Sequence, residues 1–548
     1  MKGYNEGKKL IVLFLFSASV VYTAPLPLPS GADAGVLLNQ TKEIFRQQKL
    51  SKDLKEEKLK ERKGIEAGES QKLDESKSTQ ITFKLNGINI NKSEVLTEEE
   101  INNIINRYIG KDIGINDLYT IVNELNKLYE EKGYAVCKAG LPPQTISDGY
   151  VRIMLIEGKT GDISVSGNNS TREGYIKKRI NLKSGEISNL KELNKSLIWF
   201  NGTNDIQMRI EMEAGKAVGT TDYILNVYEP KKHNYFLFAD NLGSETSGEY
   251  RAGIGYTNNS LTGHRDQLSI TGMGAEGNKT GGLSYSFPIG SRGTKIGMQY
   301  SIGRVEIIDG ELKDVNVKGE SSSYGVSITR PLVVNEKRKI EASLEWSKQN
   351  STTDIMGYEW VNDDISHYGI GLAITSYGNN SVLYSKSTIW EGNWKSLSET
   401  SKDYTKYEML LMYQKAFQSK KMLTVRFNGQ YAFDDYLPSA DQFYVGGAYS
   451  VRGYEENFMG ADSGMSLSTE LSIPAWKNGE FFLFLDGGMT YGENAWDDNI
   501  IYGTGCGYKM TIKEKTSVAL TLGIPLVKDI NNAEVDSSRI NFTFSHQF

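Results

Sequence analysis

The sequence predicts a chain in two parts, two small α+β units followed by an all-β transmembrane barrel of about 16 antiparallel strands. Three observations support this prediction. Residues 79–230 repeat the order β-α-α-β-β, the hydrophobic period changes to two from about residue 231, and an apolar leader precedes both. With 548 residues, the chain is also longer than one ordinary domain.

Composition and charge exclude several classes of protein. Acidic residues outnumber basic ones 68 to 62, which gives a net charge of -6 and argues against a nucleic-acid partner. Aromatic residues make up 10% of the chain, too many for a disordered protein. Cys137 and Cys506 are too few for a disulfide framework, and we expect them not to pair. We predict no metal and no cofactor, because four histidines and two cysteines offer no dedicated zinc site.

Residues 1–24 are predicted to form a secretory signal peptide. Lysines precede the apolar run 10–21, and small residues follow it as far as Ala24. Pro25 makes cleavage directly after Ala24 awkward, so we expect the cut a few residues away. The alternative is a membrane anchor, but the run is shorter than the roughly 20 apolar residues that a spanning helix needs.

Residues 25–50 are predicted to contain a helix, and residues 51–78 a charged linker. Over 33–49, Val36, Leu37, Ile44 and Phe45 fall on one face of an amphipathic helix. The stretch that follows is mostly Lys, Glu, Asp, Gln and Ser, which is typical of a solvated tether or at most a frayed helix. The helix is either an idle surface element or a mobile plug on a tether, and the pattern alone favours the surface element.

The first α+β unit is predicted over residues 79–158. A strand over 81–85 precedes a helix that starts at Thr97, where Thr97 and Glu100 form a capping box. A second helix ends at Gly133, as glycine commonly ends helices. A strand over 134–138, a turn and a strand that buries alternate residues complete the unit. The turn comprises Leu141, Pro142, Pro143 and Gln144, and the buried residues are Val151, Ile153 and Leu155.

The second α+β unit is predicted over residues 159–230 and repeats this order. Its strands cover 162–166, 206–212 and 223–228, a short helix covers 175–180, and Asn189 caps a longer helix. A sheet of this kind has an exposed edge to which an extended peptide can add a strand. From physics alone, the two units are equally well explained as peptide-binding domains or as spacers.

From residue 231 to 548 the sequence alternates in period two. Met465, Leu467, Leu471 and Ile473, for example, alternate with Ser466, Ser468, Glu470 and Ser472. In a soluble sandwich the apolar face would meet a core, whereas in a transmembrane barrel it would meet lipid around a polar lumen. Charged residues in mid-strand, such as Arg426 and Glu470, favour the barrel. The 318 residues at about 20 per strand and turn predict about 16 strands, enough for an aqueous channel.

Several motifs resemble those of one protein family. Val451-Arg452-Gly453-Tyr454 matches the motif of its long sixth extracellular loop, and Phe484-Leu485-Asp486-Gly487-Gly488 matches its Phe-x-Asp-x-Gly strand motif. The turn around Pro142 and the stretch from Asp240 to Gly253 resemble further family segments. The chain therefore resembles the two-partner secretion (type Vb) outer-membrane transporters, the exporters of haemolysins and filamentous haemagglutinins. These transporters belong to a superfamily of barrel-assembly factors with polypeptide-transport-associated (POTRA) domains.

The resemblance implies a location and a set of partners. The two α+β units would be periplasmic POTRA domains, POTRA 1 and POTRA 2, below a barrel in the outer-membrane lipid of a Gram-negative-type bacterium. The client would be one large secreted exoprotein, of β-helical fold, that is bound unfolded by the POTRA domains. The period-two strand that ends at Phe548 resembles the signal by which the barrel-assembly machinery recognises outer-membrane proteins.

The resemblance also assigns roles to individual residues. Arg452, at the tip of the sixth loop, would meet Asp486 on the inner barrel wall. Gly453 would let the tip turn sharply, while Gly487 and Gly488 would leave room against the wall. An ion pair in a half-wet lumen could hold the loop in place without making it immovable.

Three alternatives to the transporter remain. A barrel-insertion factor of the same superfamily usually has more POTRA units than the two seen here. A passive porin would need no POTRA units at all. A barrel enzyme would need a catalytic constellation, and none is evident among scattered histidines at positions 233, 264, 367 and 546, so we predict that the protein is not an enzyme.

Overall fold

The computed structural model describes residues 30–59, 82–397, 401–476, 478–531 and 533–548. The predicted signal peptide and residues 60–78 of the predicted linker lie outside these ranges. Cys137 and Cys506 are both free thiols. Within the described ranges, none of the helices combines the length and the apolar character needed to cross a membrane.

Helix α1 (Ala34–Leu59) follows a 3-10 turn at Ser30–Ala32. Residues 51–59, for which a solvated tether or at most a frayed helix was predicted, are helical. The physical reason is that Leu50 and Leu54 pack against Val382 and Met412 of the barrel, so the charged stretch still has apolar contacts.

POTRA 1 has the predicted order with two additional short strands. Its elements are β1 (Phe83–Lys84), β2 (Gly87–Ile90), α2 (Glu98–Ile105), β3 (Asp112–Ile113), α3 (Ile115–Glu131), β4 (Lys138–Gly140) and β5 (Tyr150–Ile156). The sheet order is β2-β5-β4, with β2 parallel to β5 and β4 antiparallel to it. Val151, Ile153 and Leu155 face the two helices in one core, as their alternation predicts.

Two predicted strands of POTRA 1 are misplaced. The strand over 81–85 is only the short β1, which pairs with β3, because the backbone of Leu85 bonds to Lys111 and Gly110 between the helices. The sheet strand is β2 instead. The strand over 134–138 begins only at Lys138, since the chain after Gly133 makes a turn closed by the Cys137 N–H on the Tyr134 carbonyl (2.9 Å).

Helix capping in POTRA 1 agrees with the sequence. Thr97 Oγ1 accepts the Glu100 N–H (3.3 Å), and Glu100 Oε2 accepts the Thr97 N–H (2.9 Å), which completes the predicted capping box. Gly133 follows α3 with φ of 90°, a conformation that favours glycine.

The stability of the first turn of α2 should depend on pH through the protonation of Glu100. The Lys132 ammonium, 2.7 Å away, and the Thr97 N–H lower the pKa of Glu100 from 4.5 to about 2. Because the folded pKa is depressed, the stabilisation is present above 4.5 and is lost as the pH falls towards 2. We expect amide protection at the start of α2, corrected for intrinsic exchange, to fall over this range in hydrogen-exchange experiments. In Glu100→Gln that fall should be absent, whereas Glu98→Gln, in the same turn, should behave like the parent. An unchanged profile in Glu100→Gln would contradict the assignment.

POTRA 2 repeats the same arrangement. Its elements are β6 (Lys159–Ser166), α4 (Glu173–Lys177), α5 (Leu190–Thr203), β7 (Gln207–Ala214) and β8 (Thr220–Tyr228). The sheet order is β6-β8-β7, again with one parallel and one antiparallel pair. Asn189 caps α5 as predicted, because its side-chain oxygen accepts the Glu192 N–H at 3.1 Å.

The predicted barrel of 16 antiparallel strands is confirmed, and its last strand, Arg539–Gln547, closes it against its first, His233–Asp240. The first eight strands are β9 (His233–Asp240), β10 (Arg251–Asn258), β11 (Gln267–Gly274), β12 (Asn278–Ile289), β13 (Thr294–Glu306), β14 (Val317–Val334), β15 (Arg338–Ile355) and β16 (Tyr358–Gly378). The other eight are β17 (Ser381–Lys395), β18 (Ser401–Ala416), β19 (Met422–Ala432), β22 (Ser463–Pro474), β23 (Gly479–Tyr491), β24 (Ile500–Ile512), β25 (Thr516–Pro525) and β26 (Arg539–Gln547). Short strands β20 (Phe443–Val445) and β21 (Met459–Ala461) pair within the long loop between β19 and β22.

The alternation of side chains follows the predicted inside and outside. On β22, Met465 and Leu467 are exposed on the outer face, whereas Ser466 and Ser468 are buried on the lumen side. Strands β14 to β16 have 18 to 21 residues, well beyond the roughly 9–11 that span a membrane. Beyond the length needed to span the membrane, these strands carry cross-strand ion pairs on the outer face, as expected for a surface in water. One of these pairs is Lys348 with Asp364 at 2.7 Å.

POTRA 2 is attached to the turns at one end of the barrel. Arg265, in the turn between β10 and β11, has φ of 59° and a buried guanidinium that bonds both carboxylate oxygens of Asp205. Ser260 in the same turn donates to the Ser170 carbonyl (2.8 Å), and Arg179 donates to the Gly290 carbonyl (2.6 Å). This end of the barrel is therefore the POTRA end, and the long loop between β19 and β22 lies at the opposite end.

Candidate functional site: the loop and helix inside the barrel

The loop between β19 and β22, residues 433–462, folds back into the barrel and is termed L6. Its tip is buried, with Val451, Arg452 and Tyr454 at most 6% exposed. Val451 and Tyr454 pack with Val445, Met459 and Ile501 in an apolar cluster. A polar motif in the middle of a long loop is thus enclosed by the inner barrel wall.

Arg452 lies against Asp486 on β23. Its Nε donates to Oδ2 at 2.7 Å and its Nη2 to Oδ1 at 2.9 Å, and the backbone N–H of Arg452 adds a bond to Oδ2 at 3.1 Å. The guanidinium also lies 3.5 Å from the centroid of the Phe484 ring. Two parallel N–H···O bonds fix the orientation of the loop tip as well as its distance from the wall.

Arg452 has further partners that sequence reasoning missed. Its Nη1 lies 2.9 Å from Glu470 Oε2, and its Nη2 donates to Ser468 Oγ at 3.1 Å. Glu470 also pairs with Lys509 at 3.4 Å and Arg426 at 3.7 Å. The alternation of apolar and polar residues placed Ser468 and Glu470 on the lumen face of β22, but it did not indicate which loop residue they contact.

Glycines provide the space that the tip occupies, though not all of the predicted ones. Gly453 has φ of 105°, and a Cβ at Gly488 would lie 2.8 Å from Val451 Cγ2, so both act as expected. Gly487 does not: its nearest neighbour is the ring of Tyr502, because it faces away from the loop. Gly503 and Gly523 face the tip instead, with hypothetical Cβ atoms 2.0 Å from the Arg452 carbonyl oxygen and 2.6 Å from the Gly453 nitrogen.

Tyr454 ties L6 to the loop after β25. Its hydroxyl accepts the Val527 N–H at 3.1 Å and lies 2.8 Å from the Val527 carbonyl oxygen. The four residues from Val451 to Tyr454 therefore contact β22, β23, β24 and the segment beyond β25. These contacts attach the tip firmly to one side of the lumen.

Helix α1 fills much of the remaining lumen. Leu37 packs with Val305 and Val317, and Phe45 meets Phe238 edge-on at 5.7 Å between ring centroids. Val36, Leu37 and Ile44, three of the four residues on the predicted apolar face, are buried. The favoured interpretation of the helix as an idle surface element is wrong, because the barrel encloses it. Other residues are buried as well, among them Leu38, Thr41 and Gln47.

Helix α1 and L6 also contact each other. Asn39 donates to the Ala440 carbonyl (2.8 Å), Gln40 to Glu456 (3.2 Å) and Gln48 to the Tyr449 hydroxyl (2.9 Å). The helix and the loop thus occupy the lumen together and are connected by hydrogen bonds. A cavity of about 290 Å³ remains between them and the wall strands β18, β19 and β22 to β26, and it is lined in part by Tyr449, Arg452 and Glu470.

The other predicted site residues lie away from the lumen. Gln144, after Leu141, Pro142 and Pro143, bonds the N–H and the carbonyl of Arg152 with its side-chain amide, both at 2.7 Å, and so extends the short β4 along β5. Phe548 donates its N–H to the Tyr235 carbonyl (3.1 Å) where β26 meets β9. Unlike these residues, the first-hairpin segment places a buried ion pair inside the barrel, Arg251 with Asp240 at 2.7 Å.

One group of carboxylates in the described residues is close enough to share a cation. Glu245, Glu455 and Asp536 are exposed and come from different loops at the end opposite POTRA 2. The Arg539 guanidinium contacts all three, so the group already has a positive partner.

A family model described as the haemolysin secretion/activation protein ShlB/FhaC/HecB matches residues 219–510, more than half of the chain. The chain belongs to this family. A model of the ShlB-type POTRA domain matches residues 83–158. The predicted family is therefore confirmed. The protein is an outer-membrane transporter of two-partner secretion that moves a partner protein across the membrane, with its POTRA domains in the periplasm.

Individual relatives agree with this membership. The heme/hemopexin transporter protein HuxB of Haemophilus influenzae is 24% identical over 480 residues, covering 81% of this chain and 83% of HuxB. The outer membrane transporter CdiB of Dickeya dadantii is 22% identical over 472 residues, covering 81% of this chain and 83% of CdiB.

Solved structures share the fold. CdiB from Escherichia coli superposes with a TM-score of 0.70 at 17% identity, covering 96% of this chain and all of that one. CdiB from Acinetobacter baumannii gives 0.66 at 20% identity, covering 94% and 99%. BamA from Haemophilus ducreyi, lacking its first three POTRA domains, gives 0.51 at 13% identity, covering 86% and 100%.

Proposed function

We propose that this transporter binds one large secreted exoprotein, unfolded, in the periplasm and passes it through the barrel after α1 and L6 have moved aside. The observation that carries the proposal is that both elements lie inside the lumen and contact each other. A barrel of this width would conduct water and ions if it were empty, so a protein-conducting pore needs a closed resting state. Contacts made of polar side chains can be broken and reformed.

The client would be recognised at the edges of the POTRA sheets. The edge strands are β2 and β4 in POTRA 1 and β6 and β7 in POTRA 2. Pairing through the main chain tolerates many sequences, which suits a client that passes in extended form. Because Arg265 and Asp205 attach POTRA 2 to the barrel, a strand added there would lie close to the pore entrance.

Energy for transport would come from folding of the client outside the cell. The sequence contains no Gly-x-x-x-x-Gly-Lys-Ser/Thr motif for nucleotide binding. A β-helical client that folds as it emerges would make its return unfavourable. We further propose that the protein performs no catalysis, and that its last strand, ending at Phe548, is read by the barrel-assembly machinery.

Secretion from a strain that lacks this protein tests the proposal. A large exported protein encoded beside it should remain in the periplasm and should reach the surface again when the full chain is restored. The amounts of other outer-membrane barrels should not change, whereas a barrel-insertion factor would alter them. Export of the client without this chain would refute the proposal.

A further inference from the structure

A second part of L6 is attached to the barrel wall through a buried carboxylate. Asp441 ends a 3-10 turn, Ser439–Asp441, near the start of the loop and is 6% exposed. Its Oδ2 lies 2.5 Å from His367 Nε2 and accepts a bond from the Tyr404 hydroxyl, while Oδ1 lies 3.5 Å from Lys406 Nζ. One carboxylate thus has three partners on the wall.

This attachment is distinct from that of Arg452. His367 belongs to β16, and Tyr404 and Lys406 belong to β18, whereas Arg452 meets residues of β22 and β23. The backbone carbonyl of Asp441 also accepts from Gln430 at 2.7 Å. L6 is therefore fixed near its start to one part of the wall and at its tip to another.

The wall is shaped to receive Asp441. In the strand register, Gly392 of β17 lies between His367 and Tyr404 and pairs with both. A Cβ at Gly392 would lie 2.2 Å from the Tyr404 ring, so the ring occupies the space that this glycine leaves. The Tyr404 hydroxyl reaches Asp441 and His367 from that position.

The same turn also holds the start of helix α1. Ser439 donates to Asp33 Oδ2 at 2.5 Å, and Asn39 donates to the Ala440 carbonyl at 2.8 Å. Asp33 in turn accepts the N–H groups of Gly35 and Val36, as an N-terminal cap does. Any movement of the turn must therefore disturb both the loop and the helix.

We propose that Asp441 is a positioning residue that keeps the start of L6 and the first turn of α1 in the closed arrangement, independently of Arg452. A buried carboxylate requires its hydrogen-bond and charge partners, so it holds the turn to His367, Tyr404 and Lys406. Once the carboxylate is removed, the turn loses its bonds to His367 and Tyr404 and keeps the bond of the Asp441 carbonyl with Gln430. This inference rests on the proposed role of the loop and helix as the closing elements, but it does not require a client.

Single-channel recording of the purified full-length protein in planar bilayers tests this proposal. We expect Asp441→Ala to open several times more often than the parent. Asp441→Asn, which loses the charge at nearly equal volume, should open more often than Asp441→Glu, which keeps it. Gly392→Ala should act like Asp441→Ala, because it displaces Tyr404. Heat-modifiable migration on gels reports whether each barrel has folded.

Glu345 provides the matched control. It lies half-buried on the lumen face of β15, and its partners are Lys386 of β17 at 2.6 Å and Ser343 of its own strand at 2.9 Å. Glu345→Ala should open as rarely as the parent. Equal opening of Glu345→Ala and Asp441→Ala, or parental opening of both Asp441→Ala and Gly392→Ala, overturns the proposal. A protein that conducts as predicted but exports no client would refute the proposed function and leave this inference standing.

Discussion

Replacing Arg452 with alanine should reduce secretion of the client sharply while the barrel remains inserted in the outer membrane. The substitution removes two bonds to Asp486, an ion pair with Glu470 and a bond to Ser468. It also leaves the Asp486 carboxylate, 1% exposed, without its cation. Removing one partner of a buried ion pair costs about 3–5 kcal/mol. This is enough to change the ratio of the attached to the detached loop tip more than tenfold.

Secretion and insertion should be measured in the same cells. We expect client in the medium to fall about tenfold or more, with heat-modifiable barrel at the parental amount. Arg452→Lys keeps the charge but loses the paired geometry, so an intermediate effect is expected.

The matched control is Arg304→Ala, whose partner Glu320 lies 3.0 Å away on the outer face, with both side chains more than 60% exposed. Exposed pairs contribute about 0–1 kcal/mol, and this variant should export normally. Normal export by Arg452→Ala would remove the loop tip from the mechanism.

The barrel was predictable because its information is local. Each strand alternates in period two, so Met465 and Ser466 reveal their faces without reference to any other strand. The capping box at Thr97 and the cap at Asn189 lie within four residues of their partners and were predictable for the same reason. Strand β2 was misplaced because backbone bonds from Gly110 and Lys111, distant in the sequence, hold Leu85 outside the sheet. Strand β4 was misplaced because the turn after Gly133 delays its start to Lys138.

The interior of the barrel was much less predictable. The pairing of Asp441 with His367 joins residues 74 positions apart and depends on which way L6 folds. Gly503 and Gly523 are two of 56 glycines, and only the seated loop distinguishes them from the rest. A family motif indicated Arg452 and Asp486, but Glu470 has no such motif. The pattern of α1 favoured a surface position, and this was wrong because polar residues such as Thr41 and Gln47, which are buried in the lumen, give no sign in the sequence of a surrounding barrel.

Removing helix α1 should have the second large effect. Deletion of residues 30–59 takes out the contacts of Leu37 with Val305 and Val317, of Phe45 with Phe238 and of Leu54 with Met412. The strand pairs that close the barrel do not involve the helix, so the barrel should still fold. We expect a large, long-lived increase in conductance in planar bilayers and greater sensitivity of cells to antibiotics that are too large for porins.

Point substitutions separate loss of the helix from its displacement. Leu38 is 1% exposed and packs against Gly303 on β13, so Leu38→Asp would place an unpaired charge in that contact. Burying such a charge is expensive, and the helix should leave the lumen instead. Lys49→Asp introduces the same side chain at an exposed position of the helix and should conduct like the parent. If Leu38→Asp and the deletion both stayed closed, L6 alone would seal the pore, because the helix would then contribute contacts but no barrier.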